Sequence, residues 1–205
     1  MAMYIIYMSK NIRITSAELE SVFSSLIKDV PSFEVLNKDV LPYGLKQHTR
    51  SICWLAEQVI LQNVKKRQKE YNVVSYTDPD SDISAWDACL SLRKCEAPSY
   101  INIKVSDVTR PVRRNDIASV QKLISFYQVN PNALLFYVVI MLEFEGNRIH
   151  FRKKPIVRYY PWIGDFVVNS RNHHIQSIYE TSIVERTIPE FLKLVKTRAS
   201  ARNVL

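Results

Sequence analysis

Apolar and polar side chains follow two different periods along the chain. A period near 3.6 residues, typical of helices with one buried face, occupies four segments. Asn115 or Asp116 is the expected N-cap of the third of these helices. The predicted helices cover residues 15–28, 51–70, 115–127 and 189–196.

Strand patterns fill much of the sequence between these helices. Residues 134–144 are almost entirely apolar, as expected for a strand covered on both faces of its sheet. This mixture of elements predicts an α/β (α+β) fold with a mixed central β-sheet flanked by helices. No repeat or linker divides the chain, so a single domain over residues 1–205 is expected. Shorter strands are predicted at 73–76, 85–93, 100–106, 149–160 and 166–168.

Charge and composition narrow the class of partner. With 28 Lys and Arg against 20 Asp and Glu, the net charge of +8 favours an anionic partner, most commonly nucleic acid. The three glycines form neither a GxGxxG nor a GxxxxGK loop, which excludes those phosphate cradles. The three cysteines lack CxxC spacing, so we expect reduced thiols and a cytoplasmic location. The apolar runs are too short for a membrane span, and no membrane partner is expected.

The predicted strands at 85–93 and 100–106 form a hairpin that collects polar residues on one face. Side chains alternate between faces, so a register that joins the apolar faces also joins the polar ones. A four-residue turn would place Asp87 opposite Lys104 and Cys89 opposite Asn102, with Cβ atoms about 5 Å apart. A carboxylate beside an amine suits metal-dependent phosphodiester hydrolysis. Asp87 would bind Mg²⁺, while Lys104 would hold the attacking water and offset developing negative charge.

Such a metal site requires further oxygen ligands. The backbone carbonyl of Ile103 is adjacent to the proposed ion. Glu57 is the candidate second carboxylate, because its neighbours on the predicted helix are apolar. A carboxylate among apolar residues lies either at the edge of the apolar face or in a buried functional site. Asp80 and Asp82 are alternative metal-binding residues, ranked lower because the same register carries Asp80 beyond the second strand.

These residues resemble the PD-(D/E)xK nucleases. A helix with Glu57, then Trp86-Asp87-Ala88, a strand carrying Lys104, a helix and a buried strand are similar to small type II restriction endonucleases with a Trp-Asp-Ala motif. The resemblance implies a restriction-endonuclease-like fold with a catalytic core at about 50–145. It also implies a homodimer that uses Mg²⁺ to cut double-stranded DNA at a short palindromic site.

The chain departs from this family two residues before the lysine. The family usually has Asp or Glu there, and this chain has Asn102. An amide oxygen can bind a metal but brings no charge. We therefore expect weak metal binding until the scissile phosphate supplies another anionic ligand. An inactive relative of the family is left open.

Candidate DNA-binding residues lie in three segments. Arg110, Arg113 and Arg114 follow the lysine strand and are expected to contact phosphates. Lys46 and Gln47 precede the Glu57 helix and are weaker candidates for groove contact. Base recognition needs cationic or amide side chains, which concentrate in one later segment. Its candidates are Arg171, Asn172, His173, His174 and Gln176.

Two alternative functions fit the same sequence. Asn172-His173-His174 resembles part of an HNH nuclease site, although no strong helix pattern follows closely. A DNA-binding protein without catalysis is motivated by Asn102. A junction-resolving repair nuclease would share the chemistry proposed above and differ only in cutting branched DNA.

Overall fold

The computed structural model describes residues 2–35, 50–81 and 84–204. Four α-helices and nine β-strands occur in these ranges, together with a short 3-10 helix at Tyr160–Trp162. The helices are α1 (Ala2–Asp29), α2 (Arg50–Lys66), α3 (Val120–Val129) and α4 (Ile188–Ser200). The strands are β1 (Ser32–Glu34), β2 (Val73–Thr77), β3 (Ala88–Leu92), β4 (Ser99–Asp107), β5 (Asn115–Ser119), β6 (Leu134–Glu145), β7 (Arg148–Tyr159), β8 (Val167–Val168) and β9 (His174–Ser177).

Six strands form a mixed central sheet in the order β1-β7-β6-β4-β3-β2. Strands β4 and β6 are parallel, whereas the other four neighbouring pairs are antiparallel. Helices cover both faces, which confirms the predicted α/β class with a mixed central sheet. A smaller antiparallel sheet has the order β5-β9-β8. None of the helices in the described ranges is long and apolar enough to cross a membrane.

The central strand β6 supplies side chains to both hydrophobic clusters of the protein. Phe136 and Val138 pack into the cluster that contains α1 and α2 residues. Leu135 and Val139 point the other way, into the cluster that contains α3 and α4 residues. All four side chains are fully buried, so the prediction of a strand covered on both faces is confirmed.

The prediction of a single helix at 115–127 is wrong for its first five residues. Residues 115–119 form β5, which pairs with β9. The helix begins only at Val120, and the side chain of Ser119 caps it by accepting a hydrogen bond from the Lys122 backbone N–H. Asn115 and Asp116 are therefore strand residues rather than caps. Long-range pairing has overridden the local helical pattern here.

Candidate active site

The hairpin of β3 and β4 has a different register from the predicted one. Cys89 lies opposite Tyr100 rather than Asn102, and Leu90 lies opposite Ser99. The prediction that Asp87 lies opposite Lys104 is therefore wrong: the register ends with Ala88 opposite Ile101, and the Asp87 N–H donates to the Ile101 carbonyl. The physical reason is the connection: the last pair is Leu90 with Ser99, so eight residues, 91–98, separate the paired positions instead of the expected four, and the end of β3 pairs only with β2.

Asp87 is fixed at the point where β3 begins. Its backbone N–H donates to the Ile101 carbonyl at 2.7 Å, and its Oδ2 accepts from the Ile103 N–H at 2.6 Å. A side-chain oxygen thus replaces the backbone acceptor that a longer β3 would supply. The N–H and C=O of one strand residue point to the same side. The Ile103 carbonyl therefore points toward the β3 side, where the Asp87 carboxylate lies.

The Asn102 amide contacts the segment that precedes Asp87. Its side chain is buried, and Nδ2 donates to the Ala85 carbonyl at 3.0 Å. Its Oδ1 is also buried, and it has no hydrogen-bond partner among the residues that the structure describes. Buried amide oxygens are nearly always satisfied, so an unpaired one is a candidate cation ligand.

Glu57 approaches from α2, which packs against β4. Its apolar helical neighbours Ile60 and Leu61 are buried, and Glu57 itself is half-buried. Burial raises the pKa of Glu57 to about 7; the charge of Asp87 adds to this rise, and Lys104 opposes it. The predicted second carboxylate therefore lies within electrostatic range of both other groups.

Lys104 lies on β4, two residues beyond Asn102, and is half-buried. Burial lowers the pKa of its amine, while Asp87, Glu57 and Asp116 partly offset this effect. Burial likewise raises the pKa of Asp87, and Lys104 opposes the rise. Two acids and one amine thus share a poorly solvated site, an arrangement that is common at catalytic centres.

The three arginines expected to contact phosphate occupy different environments. Arg110 lies 3.8 Å from Asp107, and Arg114 forms an ion pair of 2.8 Å with Asp165 on the surface. Arg113 is exposed, and with Arg110 it lines a cavity of about 260 Å³ beside the end of β4. The weaker candidates Lys46 and Gln47 lie outside the described residues.

Residues 169–176, here called the recognition segment, connect β8 to β9 and include most of β9. Three of the five predicted base-recognition residues converge on one carboxylate, that of Asp116. Its oxygens accept from Asn172 Nδ2 at 2.8 Å and Gln176 Nε2 at 2.7 Å, and His174 Nδ1 lies 3.3 Å away. The other two, Arg171 and His173, are exposed.

Two residues of this region were not predicted as parts of the site. Asp116 contacts the recognition segment and acts electrostatically on Lys104. Lys122, on α3, acts on both Asp87 and Lys104. No local pattern could have identified Asp116, because its role depends on the pairing of β5 with β9, about 60 residues further along the chain.

The structure gives little support to the alternative metal-binding and HNH-like sites. Asp80 is exposed and is not among the groups that act on Lys104, while Asp82 lies outside the described residues. The side chains of Asn172 and His174, proposed for an HNH-like site, face Asp116 instead. Over the described ranges, no three His, Cys, Asp or Glu side chains are grouped so that they could hold a metal. Among these residues the Glu57 site has two carboxylates, Glu57 and Asp87, and Asn102 in place of a third.

No protein-family model matches this chain, and no curated protein sequence matches it significantly. Its function must therefore be inferred from the chemistry of the site.

Proposed function

We propose that this protein is a type II restriction endonuclease. It would act as a homodimer that cuts double-stranded DNA at a short palindromic site, with Mg²⁺ as cofactor. The observation that carries this proposal is the buried Oδ1 of Asn102, which has no partner among the described residues and belongs to a side chain that donates to the carbonyl of Ala85, two residues before Asp87. Glu57 and Lys104 lie within electrostatic range of the same carboxylate.

The donor atoms fit a hard divalent cation. Asp87, Glu57, Asn102 and the Ile103 carbonyl would all offer oxygen, and Mg²⁺ binds oxygen ligands while keeping several waters. When bound, Mg²⁺ would polarise a phosphoryl oxygen and acidify a water molecule. The two carboxylates carry a charge of −2. A DNA phosphate would therefore bind the ion as a further anionic ligand, in the place that a third carboxylate has in the nucleases this chain resembles.

Lys104 supplies the amine of the reaction. Its Nζ would hold the attacking water and offset the negative charge that develops on the phosphorus oxygens. Because burial lowers the pKa of Lys104, the neutral amine, which can accept a proton from water, becomes more accessible. Asp87, anchored by the Ile103 N–H, would attract this amine electrostatically toward the oxygen ligands.

The surrounding cations would hold the DNA. Arg113 is exposed just beyond the lysine strand, and Lys122 on α3 is exposed and acts electrostatically on Asp87. Contacts from such side chains to phosphates position a duplex without specifying its sequence. The net charge of +8 adds a general attraction for the polyanion.

The test is to incubate the protein with DNA of known sequence and Mg²⁺ and to map the ends. We expect cleavage at discrete sites, abolished in Lys104→Ala, while DNA binding by that variant survives. Lys69→Ala is the matched control, since Lys69 is an exposed lysine that follows α2. Cleavage retained in Lys104→Ala would refute the proposed site.

A DNA-binding protein without catalysis is the second candidate, favoured by the amide of Asn102 at the family's usual acidic position. It predicts binding without cleavage in both Mg²⁺ and Mn²⁺. Cleavage of branched but not linear duplex would instead indicate a junction-resolving enzyme.

A further inference from the structure

The recognition segment is held by backbone hydrogen bonds within itself and to α3. The Asn169 N–H donates to the His174 carbonyl and the His173 N–H to the Asn169 carbonyl, both at 2.9 Å. The His173 carbonyl accepts from the Val120 N–H at 3.0 Å, which ties the segment to the start of α3. His173 itself has φ of +57°, a left-handed conformation in which histidine is enriched. Binding with this segment therefore requires little further ordering of the chain.

Asp116 determines how the amides of this segment are oriented. An ionised carboxylate only accepts hydrogen bonds, so an amide beside it must turn its NH₂ group toward it. Both Asn172 and Gln176 do so. The Oδ1 of Asn172 accepts a hydrogen bond from the His174 N–H of the same segment, at 3.2 Å. Asn172 is therefore a support of the segment.

Gln176 differs from Asn172 in its carbonyl oxygen. Its NH₂ group donates to Asp116, and its carbonyl oxygen accepts no hydrogen bond from the described residues. The NH₂ group carries a second hydrogen, and the carbonyl oxygen is on the other arm of the planar amide, turned away from Asp116. The half-exposed side chain thus presents one donor beside one acceptor. Adenine displays the complementary pair in the major groove, with N7 as acceptor and N6–H₂ as donor.

We infer that Asp116 is a specificity-determining positioning residue, and that the amide it orients, Gln176, recognises an adenine in the major groove. This inference rests on the proposed function as a DNA endonuclease. It adds that the recognised base is an adenine and that Asp116 fixes the orientation of the amide that binds it. Asp116 also acts electrostatically on Lys104, so the recognition segment lies near the cutting site.

The first experiment selects bound sequences from a random duplex pool in Ca²⁺, with binding rather than cleavage as the readout. The wild-type protein is expected to enrich sequences with adenine at a fixed position. Replacing that adenine by 7-deazaadenine removes the N7 acceptor and is expected to weaken wild-type binding by about 5- to 150-fold, the range for one bidentate base contact. Gln176→Ala should be insensitive to this replacement, whereas Gln128→Ala, an exposed glutamine on α3, should behave as wild type.

The second experiment repeats the selection with Asp116→Asn. The new amide can donate to the Gln176 side chain and allows it to turn over, so the adenine preference should fall, whereas affinity for unrelated DNA should not fall, because the change removes a negative charge. A merely structural role would lower both affinities together. Gln176→Ala tests the inference independently if Asp116→Asn does not fold.

The outcomes separate the two proposals. Selected sequences without a required adenine, or an unchanged preference in Asp116→Asn, would overturn the inference and leave the endonuclease proposal standing. A wild-type protein that neither enriches a sequence nor cuts DNA in Mg²⁺ would overturn both.

Discussion

Replacing Glu57 by Gln is expected to stabilise the fold at pH 8 while abolishing DNA cleavage. The pKa of Glu57 is raised from 4.5 to about 7 by burial and by the charge of Asp87. At about 1.4 kcal/mol per pKa unit, the full difference would be about 3.5 kcal/mol of lost stability once the group is ionised. Solvent reaches the half-buried carboxylate and screens it, which reduces the expected effect to about 1–2 kcal/mol.

The sign of this effect depends on pH. A carboxyl whose pKa is raised in the folded state contributes its full stability below pH 4.5, where both states are protonated, and loses it as the pH rises through 7. The variant should therefore gain stability over the wild-type protein progressively between pH 4.5 and pH 8. For a chain of this size, about 1–2 kcal/mol corresponds to an increase in Tm of roughly 2–8 °C.

Thermal unfolding across this pH range measures the difference, with Glu70→Gln as the control, since Glu70 is an exposed glutamate that follows α2. Plasmid cleavage in Mg²⁺ measures the functional part. A stabilised but inactive variant would show that the charge of Glu57 is retained for chemistry at a cost in stability. A variant with the same Tm difference at every pH, or one that still cuts DNA normally, would refute this reasoning.

Four further substitutions test other parts of the site and the fold. Asn102→Asp should lower the Mg²⁺ concentration for half-maximal cleavage, because it adds a third carboxylate; an unchanged titration would remove Asn102 from the ligands. Arg113→Ala should reduce the slope of log affinity against log salt by about 1, evenly across DNA sequences, in anisotropy titrations. Arg114→Ala, which breaks a surface ion pair, should have the smaller effect. Tyr160→Phe removes a buried hydrogen bond of 2.9 Å to a β5 carbonyl, so urea unfolding should show a loss of about 1–3 kcal/mol with cleavage retained.

The elements that could be predicted from sequence are those whose pattern is strong within one segment. Helix α2 and strand β6 are examples, because helical spacing in one and a long apolar run in the other leave a single interpretation. Strand β5 could not be predicted in the same way. Its five residues, ending at Ser119, become a strand only through pairing with β9, a partner far along the chain. The contacts of Asp116 with the recognition segment depend on that pairing and were missed with it.

The error in the predicted register of β3 and β4 did not change which face of the sheet carries Asn102 and Lys104, and the reason is strand geometry. Side chains alternate with a period of two, so a shift of two residues leaves Asn102 and Lys104 on their original face, whereas a shift of one would have turned them toward the α1 and α2 cluster. What the shift changes is the pairing of the residues around Asp87. Asn102 is no longer opposite Cys89; its Nδ2 donates to the Ala85 carbonyl, and its buried oxygen lacks a partner in the described part of the chain. The residue at which this chain departs from the nucleases it resembles is thus at the centre of the site, and the metal titration of Asn102→Asp bears directly on that departure.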